Sequence, residues 1–289
     1  MNKIGSSETI RKTTFNFYDY KKNMVSHKKA IKKHFLEWFI GFSEGNGSFI
    51  VSNNRLFFII NQKQQKILHI IRCNLGFGKV STYNTYSRFI VADKTNIERL
   101  IFLFNGNLLL NKTNNCFNLW LNARNCYSEH EIKCLNKNKN FEKITVKFLE
   151  NKQFCFENNA WLSGFIDAEG CFNAIKISDK KYFLPYTVRL RFIIDQKSEE
   201  WLFYKLKQFL HSGVISSRKK VQHMFRFTST SISSHEKLIQ YLNNYPLRTF
   251  KKVSFVRFTF LLYYIKKRHI LPWEKKILKK VENLIKNIK

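Results

Sequence analysis

The segment WFIGFSEGNGSF at 38–49 returns 123 residues later as WLSGFIDAEGCF at 161–172. A period this long, present twice, excludes a solenoid and predicts two subdomains that share one topology. The echo continues beyond the motif. LFFIINQKQQKILHIIRCNLGFGKV (56–80) matches LRFIIDQKSEEWLFYKLKQFLHSGVI (190–215), with Gln62 answering to Gln196, and Arg88-Phe89 answers to Arg226-Phe227. NLLLNK (107–112) then falls opposite PLRTFK (246–251), so the offset drifts to 139 through loop insertions. Within each half the order is an apolar helix opening on Trp, two strands, a helix with apolar spacing (Ile67, Leu68, Ile71 and Leu75), two more strands and a closing helical stretch. The fold class is therefore α+β, with two pseudo-symmetric α-β-β-α-β-β-α subdomains in a monomer of internal pseudo-twofold symmetry. The domain reading is a basic N-terminal arm at 1–33, a first subdomain at 34–122, an Asn- and Lys-rich linker at 123–154 and a second subdomain at 155–289. The last of these ends in a helix that begins near Pro272 and packs through Trp273, Ile277, Val281 and Leu284 or Ile285.

Charge restricts the function. Lys and Arg number 51 against 20 Asp and Glu, a formal net charge of +31, so the natural partner is a polyanion. The longest apolar run, 255–265, is interrupted by Arg257 and falls short of the roughly 18 residues of a membrane span, so no membrane is expected. With 29 Phe and 44% apolar residues the chain folds rather than staying disordered. The six Cys (73, 116, 126, 134, 155 and 171) contain no C-x-x-C pair and read as reduced, mostly packing residues. The bias toward Lys, Asn, Phe and Ile fits an AT-rich genome. Such genomes occur in organelles and in some bacteria; the localisation expected is an organelle, the mitochondrion ahead of the chloroplast.

In the repeated motif, Gly41 and Gly45 lie four residues apart, as do Gly164 and Ala168, so each helix has a smooth stripe that lets two backbones approach closely. Gly47 and Gly170 are expected to end these helices in a left-handed conformation. If the helices pair side by side, Asn46 and Glu169 arrive together at the bottom of the interface.

These features resemble the LAGLIDADG homing endonucleases in their single-chain, two-motif form. The likeness runs from about residue 35 to 289 and rests on both helices, the I-x-Q-K strands, LGFGKV, FNGNL (104–108) and PLRTFKK with the SFVRF that follows. The resemblance implies a pair of saddle-shaped antiparallel sheets lying along the major groove of a long duplex DNA site. It also implies motif helices that form the interface and each supply an acid to bind divalent metal. Phosphodiester hydrolysis needs a nucleophilic water and a Lewis acid on the scissile phosphate, which hard cations such as Mg²⁺ on carboxylate oxygens supply. By the family's pattern Glu169 is a metal ligand. Asn46 stands where the first acid belongs, and Glu44 holds the earlier acidic position equivalent to Asp167, in the family usually a helix-end structural residue. Four accounts of Asn46 are open: natural decay of nuclease activity, strand-selective nicking by the surviving site, an introduced inactivating change, or rescue by Glu44 as substitute ligand. Gln62 and Gln196 match positions that order water near the scissile phosphates, and Lys112, Lys251 and Arg248 are the basic candidates of the active-site periphery.

Groove-facing sheet residues should be long and polar. In the second half YTVRLRF puts Arg189 and Arg191 on one face, with Arg218 and Lys220 on the next hairpin. In the first half Ser52, Asn54 and Tyr83 are the polar candidates, but RLFFIIN is largely apolar on both faces. The apolar face and the missing acid fall in the same half. Duplex DNA is the favoured partner and metal-dependent endonuclease the favoured activity, weakened to nicking or lost. The alternative is a non-catalytic binder of structured or ribosomal RNA, an intron maturase or a component of an organellar ribosome, which needs no cofactor.

Overall fold

The two motif helices are buried on nearly every side, which is why neither shows a polar face in sequence. The computed structural model of the chain describes residues 14–28, 30–126, 145–151, 154–177, 186–218, 221–268 and 274–288. In the first half α1 (Tyr18–Lys22) precedes the motif helix α2 (Lys33–Asn46), the hairpin β1 (Gly47–Ser52) and β2 (Arg55–Gln62), and α3 (Gln65–Leu75). The hairpin β3 (Lys79–Thr82) and β4 (Ser87–Val91), α4 (Lys94–Phe104) and α5 (Asn111–Asn125) follow. The second half repeats the plan with the motif helix α6 (Trp161–Glu169), β5 (Gly170–Ile177), β6 (Thr187–Lys197), α7 (Glu200–Leu210), β7 (Val214–Ser217) and β8 (Met224–Ser229). It closes with α8 (Ile232–Asn244), α9 (Lys251–Arg268) and the terminal α10 (Lys275–Asn287). Each half contains one four-stranded antiparallel sheet, in the orders β1-β2-β4-β3 and β5-β6-β8-β7. The α+β repeat expected from sequence is present, with the closing stretch of each half split into two helices.

Local chemistry explains the connections. Asn53 and Asn54 both take positive φ (48° and 55°), the conformation a two-residue hairpin between right-twisted strands requires and Asn tolerates. Helix α3 buries Ile67, Leu68, Ile71 and Leu75, as their spacing predicts, and ends on Gly76 in the left-handed region. Along β2, Leu56, Phe58 and Ile60 are buried against the helices while Arg55, Phe57, Ile59 and Asn61 alternate onto the opposite face, which is the saddle surface.

At the centre α2 and α6 meet backbone to backbone. A Cβ added at Gly41 would stand 2.1 Å from the carbonyl oxygen of Trp161, and one at Gly164 1.9 Å from that of Trp38, so no side chain fits at either crossing point. One turn lower, a Cβ at Gly45 would meet that of Ala168 at 2.4 Å. The left-handed ends expected at Gly47 and Gly170 are not found: both are extended (φ −82° and −69°), because each helix runs directly into its first strand. Glycine is needed there for space, since a Cβ would press on the carbonyl oxygen of Ser43 or the side chain of Ile166.

Three further expectations are corrected. From Phe15 onward the N-terminal segment is not a solvated basic arm. Phe15, Phe17, Tyr20, Val25 and Ile31 lie in the core, and the Asn107 side chain bonds both the N–H and the carbonyl of Asn16 (2.8 and 2.7 Å). Nor is the described part of the linker detached, for Leu149 and Val146 donate their N–H groups to Asn105 and Asn125, and Asn151 reaches the Thr14 carbonyl. The cysteines described (Cys73, Cys116, Cys126, Cys155 and Cys171) are free and exposed rather than packing residues. Cys134, Pro272 and Trp273 lie outside the described residues. In α10, Val281 is buried, with Ile277, Leu284 and Ile285 against the core, and Lys176 pairs with Glu282 at 2.7 Å.

Because methyl groups at the crossing have nowhere to go, Gly164→Ala is expected to lower stability by about 3 kcal/mol or more, at or above the upper end of ordinary overpacking. Urea unfolding followed by circular dichroism checks this; a loss under about 1 kcal/mol would show that the helices can separate without penalty.

Candidate active site at the foot of the paired helices

Four polar residues sit near the C-terminal ends of α2 and α6, and their environments divide them. Glu44 is buried, and its carboxylate accepts from the backbone N–H groups of Leu109 and Leu110 (2.8 and 2.6 Å) and from the indole N–H of Trp161 (2.5 Å). Asp167 is its counterpart, accepting from Trp38 (2.8 Å), from Arg248 N–H (2.7 Å) and from the N–H and hydroxyl of Thr249. Each acid therefore ties the other half's tryptophan to the chain entering its own half's closing helix, α5 or α9, whose leading N–H groups need acceptors. Burial pushes the pKa of Glu44 up to about 7 and that of Asp167 above the usual carboxylate range, against these donors. Both Glu44 oxygens already accept hydrogen bonds from the protein, so a cation there would compete with these donors.

Glu169 is different. No hydrogen bond engages its carboxylate among the described residues. Its side chain leans across the interface, where a Cβ at Gly45 would lie 3.3 Å from its Oε1. Half-burial raises its pKa, opposed by the charges of Lys251 and Lys112 and supported by that of Asp195. Lys251 donates to the carbonyls of Ile166 and Ala168 (3.1 and 2.8 Å), which places its ammonium at the C-terminal end of α6 where the helix dipole favours a cation. Lys112 comes from the other half, at the start of α5, where its backbone N–H is held by Glu199 (2.9 Å). A reciprocal contact joins Gln64 to the Phe250 N–H ahead of α9 (2.9 Å). Each half thus helps to cap the other's closing helix, a link the sequence repeat did not reveal.

Asn46 stands at the end of α2 where Glu169 stands at the end of α6, and its amide nitrogen is buried with no acceptor among the described residues. Gln62 and Gln196 occupy matching positions at the ends of β2 and β6, opposite Ser87 and Phe225. Beside them lies a pair that the sequence reasoning missed. Asp195 accepts a bidentate pair from Arg226 (2.6 and 2.7 Å) and a bond from Arg218 (2.8 Å), and these bonds hold its pKa below the usual range. In the first half Asn61 takes one bond from Arg88 (2.9 Å). The echoes Asn61/Asp195 and Arg88/Arg226 were visible in the repeat.

Of the groove candidates, Arg189 is exposed on the saddle face, Arg191 is held by Asn173 (3.0 and 2.7 Å), and Arg218 joins the Asp195 cluster. Ser52 and Asn54 lie exposed at the β1–β2 hairpin, and Tyr83 is exposed and stacked on Tyr86 (4.9 Å). Arg248, expected at the active-site periphery and as a nucleic-acid contact, has its guanidinium over the rings of Phe35 and Trp38 (5.3 and 5.4 Å). Lys220 lies outside the described residues.

Comparison with known proteins agrees with this layout. The family model described as LAGLIDADG endonuclease matches residues 162–262. A Neurospora crassa protein named probable intron-encoded endonuclease 4 is 36% identical over 86% of this chain, which spans 44% of that relative's length. A Schizosaccharomyces pombe protein, the uncharacterized cox1 intron-2 37.2 kDa protein, is 32% identical over 88% of this chain and 73% of its own length. The solved structure of the I-SmaMI LAGLIDADG homing endonuclease bound to cleaved DNA superposes with a TM-score of 0.70 at 16% identity, covering 88% of this chain and 96% of that one. At that identity the likeness shows the fold.

Removing one cross-helix donor tests the paired-acid arrangement. Trp38→Phe leaves Asp167 buried with one bond fewer, and a loss of about 2 kcal/mol is expected in urea unfolding. An unchanged midpoint would mean that the indole bond contributes nothing to joining the halves.

Proposed function

The chain belongs to the LAGLIDADG endonuclease family, and on that premise we propose that it binds a long duplex DNA site along its two sheets and hydrolyses a phosphodiester in one strand, with Glu169 as the essential carboxylate. The observation that carries this reading is the contrast among the helix-end acids. Glu44 and Asp167 are fully engaged inside the protein, whereas Glu169 is held by no hydrogen bond among the described residues and has two lysines in electrostatic range.

The donor set suits a hard divalent cation. Among the described residues no three His, Cys, Asp or Glu side chains cluster as a closed cage, and Mg²⁺ is commonly held by one or two carboxylates together with substrate phosphates. Glu169 would hold it, with the carbonyl oxygen of Asn46 as the weaker, uncharged counterpart. When bound, the cation supplies Lewis-acid polarisation of the phosphate and a lower pKa for the attacking water. The protein's own part is positional and electrostatic. Gln62 and Gln196 offer polar groups at the ends of β2 and β6 to orient water. Lys112 and Lys251 place positive charge near Glu169, where it offsets the negative charge that grows on a phosphate under attack.

The halves differ in charge at matching positions. The second has Glu169 and Asp195, and the first has Asn46 and Asn61. An asymmetric centre of this kind favours nicking over cleavage of both strands. The saddle face of the first sheet keeps the strand register of the second and basic flanks in Arg55, Lys79 and Arg88, which supports duplex DNA rather than RNA as the favoured partner. The intron-encoded name of one relative and the cox1 intron of another support action in an organelle, with the mitochondrion as the favoured compartment.

With a supercoiled plasmid bearing the target and Mg²⁺, the full chain is expected to release open circles in preference to linear DNA. Glu169→Gln should slow nicking about 10³-fold while binding persists, the scale of losing several kcal/mol of transition-state stabilisation. Asn46→Asp should raise the linear fraction. Linear product from the unmodified chain, or nicking indifferent to Glu169→Gln or to chelation, would overturn the reading.

A further inference from the structure

The strand registers place the two saddle faces row against row, and the rows differ in chemistry. Nearest the paired helices, Asn61 opposite Arg88 matches Asp195 opposite Arg226. Farther out, Ile50 lies opposite Phe57 in the first sheet, and Asn173 lies opposite Arg191 at the equivalent place in the second. Ile59, facing Ile90 across the ladder, extends the apolar centre of the first face, whereas its counterpart Ile193 faces Thr228. Ile50 keeps 37% of its surface exposed, a large share for an isoleucine on a sheet, and the Arg55 guanidinium lies over the Phe57 ring at 5.4 Å. In the second face the Arg191 side chain donates Nε and Nη2 to Asn173 Oδ1 (3.0 and 2.7 Å), which fixes the fork and leaves its outer N–H groups available.

Base pairs differ in the major groove in ways that match these two surfaces. Thymine alone presents a methyl group, which apolar side chains contact, while guanine presents two acceptors, O6 and N7, that one arginine fork engages together. We propose that the two halves read different bases: the Ile50–Phe57 row contacts thymine methyl groups in the first half-site, and Arg191, held by Asn173, engages a guanine in the second. This rests on the duplex-DNA reading above and specifies the target that reading leaves unnamed. The first half-site is accordingly A·T-rich beneath the apolar row, and the second has guanine at the corresponding distance from the centre of the site.

Selection by the purified full chain from a randomised duplex library supplies the site. In that site, replacing each thymine of the first half by deoxyuridine removes only the methyl group. Each replacement under the apolar row is expected to weaken binding about three- to fourfold, the scale of one buried methyl, and the same change in the second half should have no effect. Guanine to 7-deazaguanine in the second half removes N7 and should weaken binding about tenfold in the unmodified chain but not in Arg191→Leu. The double change Ile50→Asn with Phe57→Arg should move the first-half preference from thymine toward guanine. A site that tolerates deoxyuridine equally in both halves would overturn this inference and leave the duplex reading in place. Failure to enrich any duplex sequence would overturn both.

Discussion

The structure depends on one close approach, the backbone contact of α2 with α6 at Gly41 and Gly164. Each glycine lies against the carbonyl of the other helix's tryptophan, at distances that leave no room for a methyl group. Such proximity is stable only if the flanking polar groups are satisfied. Trp38 and Trp161 meet that need by donating across the interface to Asp167 and Glu44. The same two acids accept the N–H groups that lead into α5 and α9. Helix pairing and helix capping are therefore one network, and the rigid pair delivers Asn46 and Glu169 to the base of the interface.

Chemistry at that base follows from which carboxylates the fold engages and which it leaves. A buried acid that accepts three or more N–H or O–H bonds is a structural element whatever its charge state, because a metal would have to displace those donors. Glu44 and Asp167 meet that description. Glu169, with no hydrogen bond to its carboxylate among the described residues and with the charges of Lys112 and Lys251 in range, does not. The lysines come from opposite halves, so the electrostatics of this site exist only in the assembled pair.

The two halves differ on their saddle faces and at the foot of the paired helices. The cores remain alike, with Phe58 and Phe192, Ile60 and Ile194, and Phe89 and Phe227 buried in matching places. On the saddle faces an Arg-Asn pair stands against a Phe-Ile pair, and at the centre two acids stand against two amides. Core positions are held alike by packing density, whereas a half-exposed sheet face is free to follow the surface it touches.

Much was legible from sequence for a physical reason: repeats, glycine spacing and strand alternation are local patterns. WFIGFSEGNG and WLSGFIDAEG determined the two halves and the small-residue stripe, their resemblance to the LAGLIDADG family suggested the role of Glu169, and alternation in YTVRLRF placed Arg189 and Arg191 on one face. The tertiary structure decided what depends on distant partners. It assigned Glu44 to the amides of Leu109 and Leu110, turned Arg248 onto aromatic rings, and drew Phe15, Phe17, Tyr20, Val25 and Ile31 into the core where composition suggested a basic arm. It also brought Glu199 and Gln64 across to the opposite halves. A side chain's residue type states which bonds it can make; only the packed chain sets which partner lies within about 3 Å of it, and so whether an acid stays available for chemistry.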